Sequence, residues 1–233
     1  MSEPIVLAWS GGKDSALALA ALQADDQFEV VSLMTTFTRE FERVSMHGIQ
    51  RDLIISQANR LGLPLVESWI DRGANNAGYE AAMKETLSEL QLQGIQTVAF
   101  GDLFLEEIRT YRDQLVQSLD MKTLYPIWGL DTLLLAHHFV SDGFQAMTCC
   151  VDSAQIPDSF CGREFDTTFL QTLPKTADPC GENGEFHTFV YDSPMMTTPI
   201  KIKLGAVHRD GQFVFRELQS PVPNELTSSG ETR

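Results

Sequence analysis

The residues from Ser10 to Ser15, with the sequence Ser-Gly-Gly-Lys-Asp-Ser, constrain the fold of this chain more than any other segment. The apolar run Ile5 to Trp9 before them predicts a strand, and the Ala/Leu-rich run Ala16 to Leu22 after them predicts a helix. Glycine lets the main chain turn sharply and approach a ligand closely, and the unpaired N–H groups at a helix start attract an anion. The order strand, glycine turn and helix therefore predicts a phosphate-binding loop.

The residues within this loop suit a phosphate that binds together with a metal ion. Gly11 and Gly12 supply main-chain N–H groups, and Lys13 adds a mobile positive charge. Asp14 and Ser15 place oxygen atoms where a phosphate-bound Mg²⁺ could use them, with Asp14 as the predicted metal ligand. The alternative is an ordinary glycine turn before a helix in an α/β protein that binds no nucleotide.

The spacing of the two glycines separates this loop from the commoner phosphate-binding motifs. The Walker motif needs four residues between its first glycine and Gly-Lys-Ser/Thr, and the dinucleotide fingerprint needs Gly-x-Gly-x-x-Gly. Neither pattern fits, whereas the loop resembles the signature of the PP-loop ATP pyrophosphatases at every position. The resemblance implies that ATP is cleaved between its α- and β-phosphates, leaving AMP on an activated substrate and pyrophosphate in the loop. It assigns ATP binding to Ser10, Gly11, Gly12, Lys13, Asp14 and Ser15, and catalysis to Lys13 and Asp14.

Composition and charge restrict the class of protein and its partners. The 233 residues are 43% hydrophobic and 21% charged, which is typical of a globular protein with one large domain or two small ones. No apolar stretch approaches the length of a bilayer-spanning helix, and Met1 to Pro4 contains no basic region of a signal peptide. We therefore expect a cytoplasmic protein with no membrane partner. A formal charge of −15 repels nucleic acid at long range, which argues against bulk RNA or DNA as a partner.

The four cysteines, Cys149, Cys150, Cys161 and Cys180, include no Cys-x-x-Cys pair. In a strand, Cys149 and Cys150 would point to opposite faces and could not share a metal ion. We therefore expect buried, reduced cysteines with a structural role, and neither sulfur transfer nor cluster binding.

Strand and helix patterns alternate after the phosphate-binding loop. Strands are predicted at Phe28 to Thr36, Leu65 to Ile70 and Thr97 to Phe100, and helices at Ile49 to Leu61 and Tyr79 to Leu90. Because consecutive parallel strands need crossover connections, the alternation predicts a parallel sheet with helices on both faces.

Ligands of such a sheet bind at the carboxyl ends of its strands, which would bring Ser10 to Ser15, Thr35 to Thr38 and Gly101-Asp102 to one edge. PP-loop enzymes place adenosine across the ends of their first strands. The resemblance therefore implies adenosine contacts at Thr35, Gly101 and Asp102. An ordinary turn is the alternative for the Gly-Asp pair.

The chain changes character near Met121, and we expect a nucleotide-binding domain at 1–121 and a smaller α+β substrate-binding domain at 122–233. The polar tail after Asn224 is expected to fray. Helices are predicted at Arg109 to Leu119, Asp131 to Asp142 and Glu164 to Leu173, a strand at Phe144 to Val151, and a hairpin formed by Lys201 to His208 and Gln212 to Leu218.

Two pairs of polar residues on the predicted helices have ordinary interpretations. Arg109 and Arg112 follow acidic residues and are expected on a solvated face, with a role in phosphate binding left open. His137 and His138 are expected to be packing or surface groups, because two histidines without a third ligand are weak support for a metal site.

A second polar segment, Asp178 to Val190, places three carboxylates, one imidazole and two glycines in a short loop before a strand. Glu182 and Glu185 could bind an amine, position a metal or act as a base, and His187 could exchange a proton near neutral pH. Taken alone, the segment is more simply interpreted as a polar hairpin loop.

Together with the phosphate-binding loop, this segment resembles the diphthine–ammonia ligase family, whose members have a Gly-Glu-Gly-Gly-Glu-Phe/Tyr-Glu-Thr segment in their C-terminal half. The similarity also covers His47 to Ile49, Leu61 to Leu63 and Tyr125 to Gly129. It implies a HUP-like sheet and an ATP-dependent amidation of a carboxylate by ammonia through an adenylated intermediate. The substrate would be diphthine on elongation factor 2. The substrate-binding residues implied are His47, Glu182, Asn183, Gly184, Glu185, His187 and Thr188, with Glu185 also catalytic.

The chain departs from the family segment at two positions, because Asn183 replaces a glycine and His187 replaces an acidic residue. Diphthine contains a quaternary ammonium group, so a less acidic loop leaves open a different small-molecule carboxylate as the acceptor. A regulator that binds ATP or AMP without turnover is the alternative from another class. No glutaminase segment is recognisable, so free ammonia is the expected nitrogen source, and a homodimer is possible.

Overall fold

The structure is a computed structural model that describes residues 2–45 and 47–220. The predicted fraying after Asn224 concerns residues outside these ranges. Within them the strands are β1 Glu3–Ala8, β2 Phe28–Thr38, β3 Arg43–Val44, β4 Leu65–Ile70, β5 Thr97–Ala99, β6 Lys122–Leu124, β7 Gln145–Asp152, β8 Phe186–Asp192, β9 Lys203–Asp210 and β10 Phe213–Gln219. The helices are α1 Lys13–Gln23, α2 Arg51–Leu61, α3 Asn76–Leu92, α4 Glu106–Gln117, α5 Thr132–Ser141 and α6 Thr167–Thr172, with a 3₁₀ turn at Asp158–Phe160.

The first sheet contains five parallel strands in the spatial order β4-β2-β1-β5-β6, and β3 pairs antiparallel with the end of β2. Three consecutive residues of the central strand β1, Ile5 to Leu7, are apolar and completely buried because both faces of the sheet are covered. In β1, Ile5 and Leu7 pack into the cluster that includes Leu53 of α2, whereas Val6 packs into the cluster with Leu87 of α3. The predicted α/β architecture, a parallel sheet with helices on both faces, is confirmed.

The second sheet is antiparallel, with the order β8-β7-β10-β9. Its strands β9 and β10 form the predicted hairpin, which turns at Gly211 with a φ of +58°. Helices α5 and α6 accompany this sheet, which agrees with the smaller α+β unit expected in the C-terminal part. The domain boundary near residue 121 stays a prediction; Lys122–Leu124 pairs with β5 and so belongs to the first sheet.

The second sheet packs against the α1 and α2 side of the first sheet. One cluster of buried residues runs from Ile5 and Leu53 to Phe169, Phe186 and Phe189. All four cysteines are buried and free, as the sequence predicts. Among the helices formed by residues 2–45 and 47–220, none combines the length and the apolar character needed to cross a membrane.

Candidate active site

Gly11, Gly12 and Gly101 allow the phosphate-binding loop to pack closely against its neighbours. Gly11 has a φ of +80°, and a Cβ atom added to it would lie 2.6 Å from Ile54 Cδ1. A Cβ atom on Gly101 would lie 2.9 Å from the carbonyl carbon and oxygen of Asp14. Atoms do not approach so closely without displacement, so Gly11 allows the loop to lie against α2 and Gly101 allows the end of β5 to lie against the start of α1.

The phosphate-binding loop is hydrogen-bonded directly to β8, which begins within the second polar segment. The Lys13 N–H donates to Thr188 Oγ1 at 3.1 Å, and the Val190 N–H donates to the Gly11 carbonyl at 2.9 Å. Gln57 is completely buried and its Nε2 donates to the Gly11 carbonyl at 3.0 Å and to the Val190 carbonyl at 2.6 Å. The two motifs predicted from the sequence therefore form one hydrogen-bonded unit.

These bonds determine which main-chain donors of the loop are available to a ligand. The Gly12 N–H donates to Ser10 Oγ at 3.2 Å, and the Lys13 N–H is bonded to Thr188. Helix α1 begins at Lys13, so the N–H groups of Asp14 and Ser15 have no carbonyl partner within the helix. The N–H groups that this helix start offers to an anion are therefore those of Asp14 and Ser15, two and three residues after Gly12.

Lys13 is buried with Asp14 at the base of the loop. Its Nζ lies 2.9 Å from Asp14 Oδ2 and 5.2 Å from the ring centre of Phe186, and only 2% of the residue is exposed. Burial opposes the charge of Lys13, but the attraction of Asp14, together with Cys180 and Glu182, outweighs it and raises the pKa of the ammonium group. The structure thus places the predicted mobile charge in a buried ion pair against aromatic rings, and the mobility of Lys13 stays a prediction. Its catalytic role stays a prediction.

Asp14 presents a second carboxylate oxygen to the site. Burial raises the pKa of this carboxyl group, and the opposing attraction of Lys13 does not cancel the effect. Asp14 Oδ1 is buried and has no hydrogen-bond partner within the described part of the chain. A bound cation would satisfy this oxygen, which fits the predicted metal ligand.

A cavity of about 600 Å³ opens between the carboxyl edge of the first sheet and the second sheet. Of the residues predicted to bind the nucleotide, five line the cavity: Ser10, Asp14, Ser15, Gly101 and Asp102. Of the residues predicted to bind the acceptor substrate, five also line it: His47, Glu182, Asn183, Gly184 and His187. The volume falls within the range typical of small-molecule sites. Two groups of residues that are far apart in the sequence thus share one cavity.

The remaining predicted residues lie behind the cavity wall. Thr35 is buried and its Oγ1 donates to the Trp9 carbonyl at 2.7 Å, while the next residue, Thr36, lines the cavity. Thr188 is also buried, where its Oγ1 accepts from Lys13. Their contacts with ligands stay predictions.

Glu185 holds the second polar segment in shape. It is 1% exposed, and its Oε1 accepts from the Asp178 N–H at 2.8 Å and from Asn183 Nδ2 at 3.1 Å. The other oxygen, Oε2, has no partner among residues 2–45 and 47–220. The catalytic role predicted for Glu185 stays a prediction, and the contacts that the structure gives it are those of a positioning residue.

Glu182 connects the second polar segment to the loop after β5. Its Oε1 accepts from the Leu103 N–H at 2.8 Å and from the Phe104 N–H at 3.4 Å. Burial raises the pKa of Glu182 to about 7, although the two N–H donors favour the carboxylate. A carboxyl group with this pKa can gain and lose a proton at neutral pH, which suits an acid or base.

His47 and His187 form a pair in the cavity wall. Their ring centres are 4.3 Å apart, and the planes are tilted by 40°. Burial lowers the pKa of His47 to about 4 and lowers the pKa of His187 well below its ordinary value, so both rings are neutral at pH 7. The Cys149 thiol donates to the carbonyl oxygen of each histidine. The pair can therefore hydrogen-bond a ligand without adding charge.

Arg112 is a cavity residue that the sequence analysis assigned to a solvated face. That assignment is wrong, because its Nε lies 2.8 Å from Asp102 Oδ2 and its guanidinium group lies 4.5 Å from the ring centre of Phe100. A signal was present in the sequence: Arg112 precedes the buried Leu115 and Val116 by three and four residues, which places it on the inward face of α4.

The two histidines of α5 are exposed, as one of the two interpretations from the sequence expects. No group of three or more His, Cys, Asp or Glu side chains suited to a metal ion occurs in the part of the chain that the structure describes. Mg²⁺ commonly binds through only one or two carboxylates and the phosphates of a nucleotide. Asp14, with its unpartnered oxygen beside the helix start, fits this kind of site.

Family models match nearly the whole described chain. The diphthamide synthase N-terminal domain matches residues 3–123, and the diphthamide synthase C-terminal domain matches residues 131–218. The chain belongs to the diphthamide synthase family. The N-terminal match ends just after β6 starts and the C-terminal match begins just before α5, so the two matches together cover both sheets.

Two curated relatives are both named diphthine–ammonia ligase. The protein from Schizosaccharomyces pombe is 24% identical over 237 residues, which cover 93% of this chain but only 39% of the yeast protein. The protein from Bos taurus is 25% identical over 262 residues, which cover 95% of this chain and 96% of the bovine protein. The family expected from the sequence is therefore confirmed, at low identity to these two members.

Proposed function

We propose that this chain joins ammonia to a carboxylate at the expense of ATP, with AMP and pyrophosphate as the other products. The observation that supports the proposal is the shared cavity, which residues at the start of α1 and residues of the Glu182 segment both line. The names of the two relatives support diphthine as the acceptor. Elongation factor 2 would then be the protein that presents it.

The chemistry requires an activated carboxylate, because a free carboxylate is a poor electrophile. Transfer of AMP to one of its oxygens converts that oxygen into part of a leaving group, which ammonia then displaces. The N–H groups of Asp14 and Ser15 at the start of α1 would bind the phosphates. Asp14 Oδ1 would hold Mg²⁺, which neutralises phosphate charge when it is bound.

Glu182 is the candidate that would accept a proton from the attacking nitrogen. Ammonium, the main form at neutral pH, must lose a proton before it can act as a nucleophile. Glu182 lines the cavity and has a pKa of about 7 because of burial, so it is partly ionised under these conditions. Glu185 would act indirectly, by fixing the main chain at Asp178 and the side chain of Asn183.

The acceptor's cationic group would bind on the acidic and aromatic part of the wall. Glu182, Asp152 and Phe186 line the cavity there, and Lys13 lies 5.2 Å from the centre of the Phe186 ring. The ammonium group of Lys13 thus already uses one aromatic contact that a trimethylammonium group could otherwise make. Glu182 and Asp152 are the charged groups that remain for this purpose.

The test is to incubate the purified chain with Mg-ATP, ammonium and diphthine-containing elongation factor 2, and to measure AMP, pyrophosphate and amidation by mass spectrometry. A panel of small carboxylates in place of the protein acceptor tests the alternative acceptor class. We expect AMP and pyrophosphate in amounts equal to the amide formed. Formation of ADP and inorganic phosphate, or binding of ATP without turnover on any acceptor, would contradict the proposal.

A further inference from the structure

The cavity wall contains very little positive charge. Among the described residues that line it, Arg112 is the only lysine or arginine, whereas the carboxylates are Asp14, Asp102, Asp152 and Glu182. A nucleotide brings several negative charges in its phosphate chain. Arg112 is therefore the one side chain of the lining that can offset them by direct contact.

Lys13 is not available for this purpose in the structure. Its Nζ is paired with Asp14 at 2.9 Å, and the side chain lies against the rings of Phe165 and Phe186. Phe186 lines the cavity, but Lys13 itself does not. Moving it to a ligand would leave Asp14 without its partner and would break two aromatic contacts. The lysine of the loop thus stabilises the loop, and the charge at the cavity surface comes from α4.

Arg112 is held in place before any ligand binds. Asp102 Oδ1 accepts a hydrogen bond from Nη2 at 3.2 Å, and Asp102 Oδ2 forms an ion pair with Nε at 2.8 Å. The group also lies over the ring of Phe100. A guanidinium has five N–H donors in a fixed plane. Asp102 accepts from one of them, on Nη2, and faces Nε, so the two donors of Nη1 and the second donor of Nη2 have no partner among the described residues.

We propose that Arg112 binds the phosphate chain of the nucleotide through these remaining donors, and that Asp102 and Phe100 position it. Asp102 follows Gly101, which packs directly against the carbonyl of Asp14 at the start of α1. The guanidinium group therefore lines the same cavity as Asp14 and Ser15, whose main-chain donors begin α1. A planar fork matches the geometry of two phosphate oxygens, which a lysine cannot reproduce.

This inference deepens the proposed function, since it rests on ATP occupying the cavity, but it does not depend on the acceptor or on turnover. It can therefore be tested by binding alone. Arg109 provides a matched control on the same helix, one turn away. It is paired with Asp113 at 3.8 Å and stacked on Trp128 at 4.6 Å, and it does not line the cavity.

The experiment measures binding of a non-hydrolysable ATP analogue with Mg²⁺, of pyrophosphate and of adenosine to the full chain by isothermal titration calorimetry. Loss of a charge-assisted hydrogen bond corresponds to about a 10- to 100-fold weaker affinity. We expect Arg112→Gln to weaken binding of the ATP analogue and pyrophosphate by this factor and to leave adenosine binding within about twofold. Arg112→Lys should recover only part of the loss, and Arg109→Gln should bind all three ligands like the unmodified chain.

The outcomes separate the inference from the function. Equal effects of Arg112→Gln and Arg109→Gln, an Arg112→Gln chain that binds pyrophosphate normally, or an equal loss for adenosine would each overturn the inference. Failure of the unmodified chain to bind the analogue and pyrophosphate would overturn it together with the proposed function. Normal binding that depends on Arg112, without amidation of any acceptor, would contradict the proposed function alone. Melting curves of the two glutamine variants identify any general loss of folding.

Discussion

Gln57 is the side chain whose replacement should most clearly separate the two motifs of the site. It is completely buried and makes three hydrogen bonds, accepting from Trp9 Nε1 at 2.8 Å and donating to the carbonyls of Gly11 and Val190. In a Gln57→Leu variant the volume is nearly kept, but the Trp9 N–H and the Val190 carbonyl lose their partner. The Gly11 carbonyl still accepts from the Val190 N–H.

Each buried polar group left without a partner costs about 1–3 kcal/mol, so with two such groups the variant should lose about 2–6 kcal/mol of unfolding free energy. That is a large part of the total stability of an ordinary domain, which is about 5–15 kcal/mol. Gln91→Leu is the matched control, because Gln91 makes one hydrogen bond, from Nε2 to the Leu119 carbonyl, far from the site. It should cost about 1 kcal/mol.

Urea unfolding followed by circular dichroism gives both free energies, and calorimetry at low temperature gives the affinity of the folded variants for an ATP analogue. We expect Gln57→Leu to bind the analogue more weakly, because Gly11 and β8 are no longer fixed to each other, and Gln91→Leu to bind it normally. If the unfolding free energy of Gln57→Leu lay within about 1 kcal/mol of the unmodified value, the expected cost of leaving the Trp9 N–H and the Val190 carbonyl without partners would be refuted. Normal nucleotide affinity in a destabilised variant would refute the link between the two motifs.

Three further predictions concern the carboxylates and the departures from the family pattern. Because burial raises the pKa of Glu182 to about 7, the folded chain keeps a proton between pH 4.5 and 7 that the unfolded chain releases, so stability should fall as the pH rises through this window. Glu182→Gln should remove this dependence of the unfolding free energy on pH. If Glu182 is the base, kcat/KM of the unmodified chain should rise with a midpoint near pH 7, and the variant should lose this rise. An unchanged pH–rate profile would exclude Glu182 as the base. Asp14→Asn should reduce at least tenfold the factor by which Mg²⁺ increases the affinity for ATP, since the unpartnered Oδ1 is the expected ligand. An unaltered magnesium titration would count against this role. Restoring the family residues with Asn183→Gly and His187→Glu should increase amidation of diphthine if these positions select the acceptor, whereas no gain over the unmodified chain would mean that the departures are neutral.

The elements with a long local pattern could be predicted from the sequence. Leu65–Ile70 is a strand with the predicted bounds, and the helix predicted at Ile49 to Leu61 begins only two residues later. Strands β3 and β6 were not predicted, because they contain two and three residues and show no periodicity. They are strands only because β2 and β5 offer them a free edge for hydrogen bonding. Such elements depend on the sheet and not on their own residues.

The site divides in the same way. Ser10, Asp14, Glu182 and His187 meet in one cavity, as their motifs and the family resemblance led us to expect. The position of Gln57 gave a signal that was overlooked, because a glutamine beside Leu53, Ile54 and Ala58 on the apolar face of a helix must find buried partners. Which partners it finds depends on Val190, 133 residues away, and no local pattern contains that information.

The charge of the cavity predicts that ammonium and the nucleotide respond differently to added salt. Four carboxylates and one arginine line it, on a chain with a formal charge of −15. Such a field attracts ammonium and other cations, and it repels a nucleotide unless metal ions and Arg112 offset the phosphate charge. Added salt screens both effects. Moderate salt should therefore weaken the use of ammonium while it affects Mg-ATP less, because the magnesium complex has already lost much of its charge. The acidity that argues against nucleic acid as a partner thus fits a site that collects a small cation beside a neutralised nucleotide.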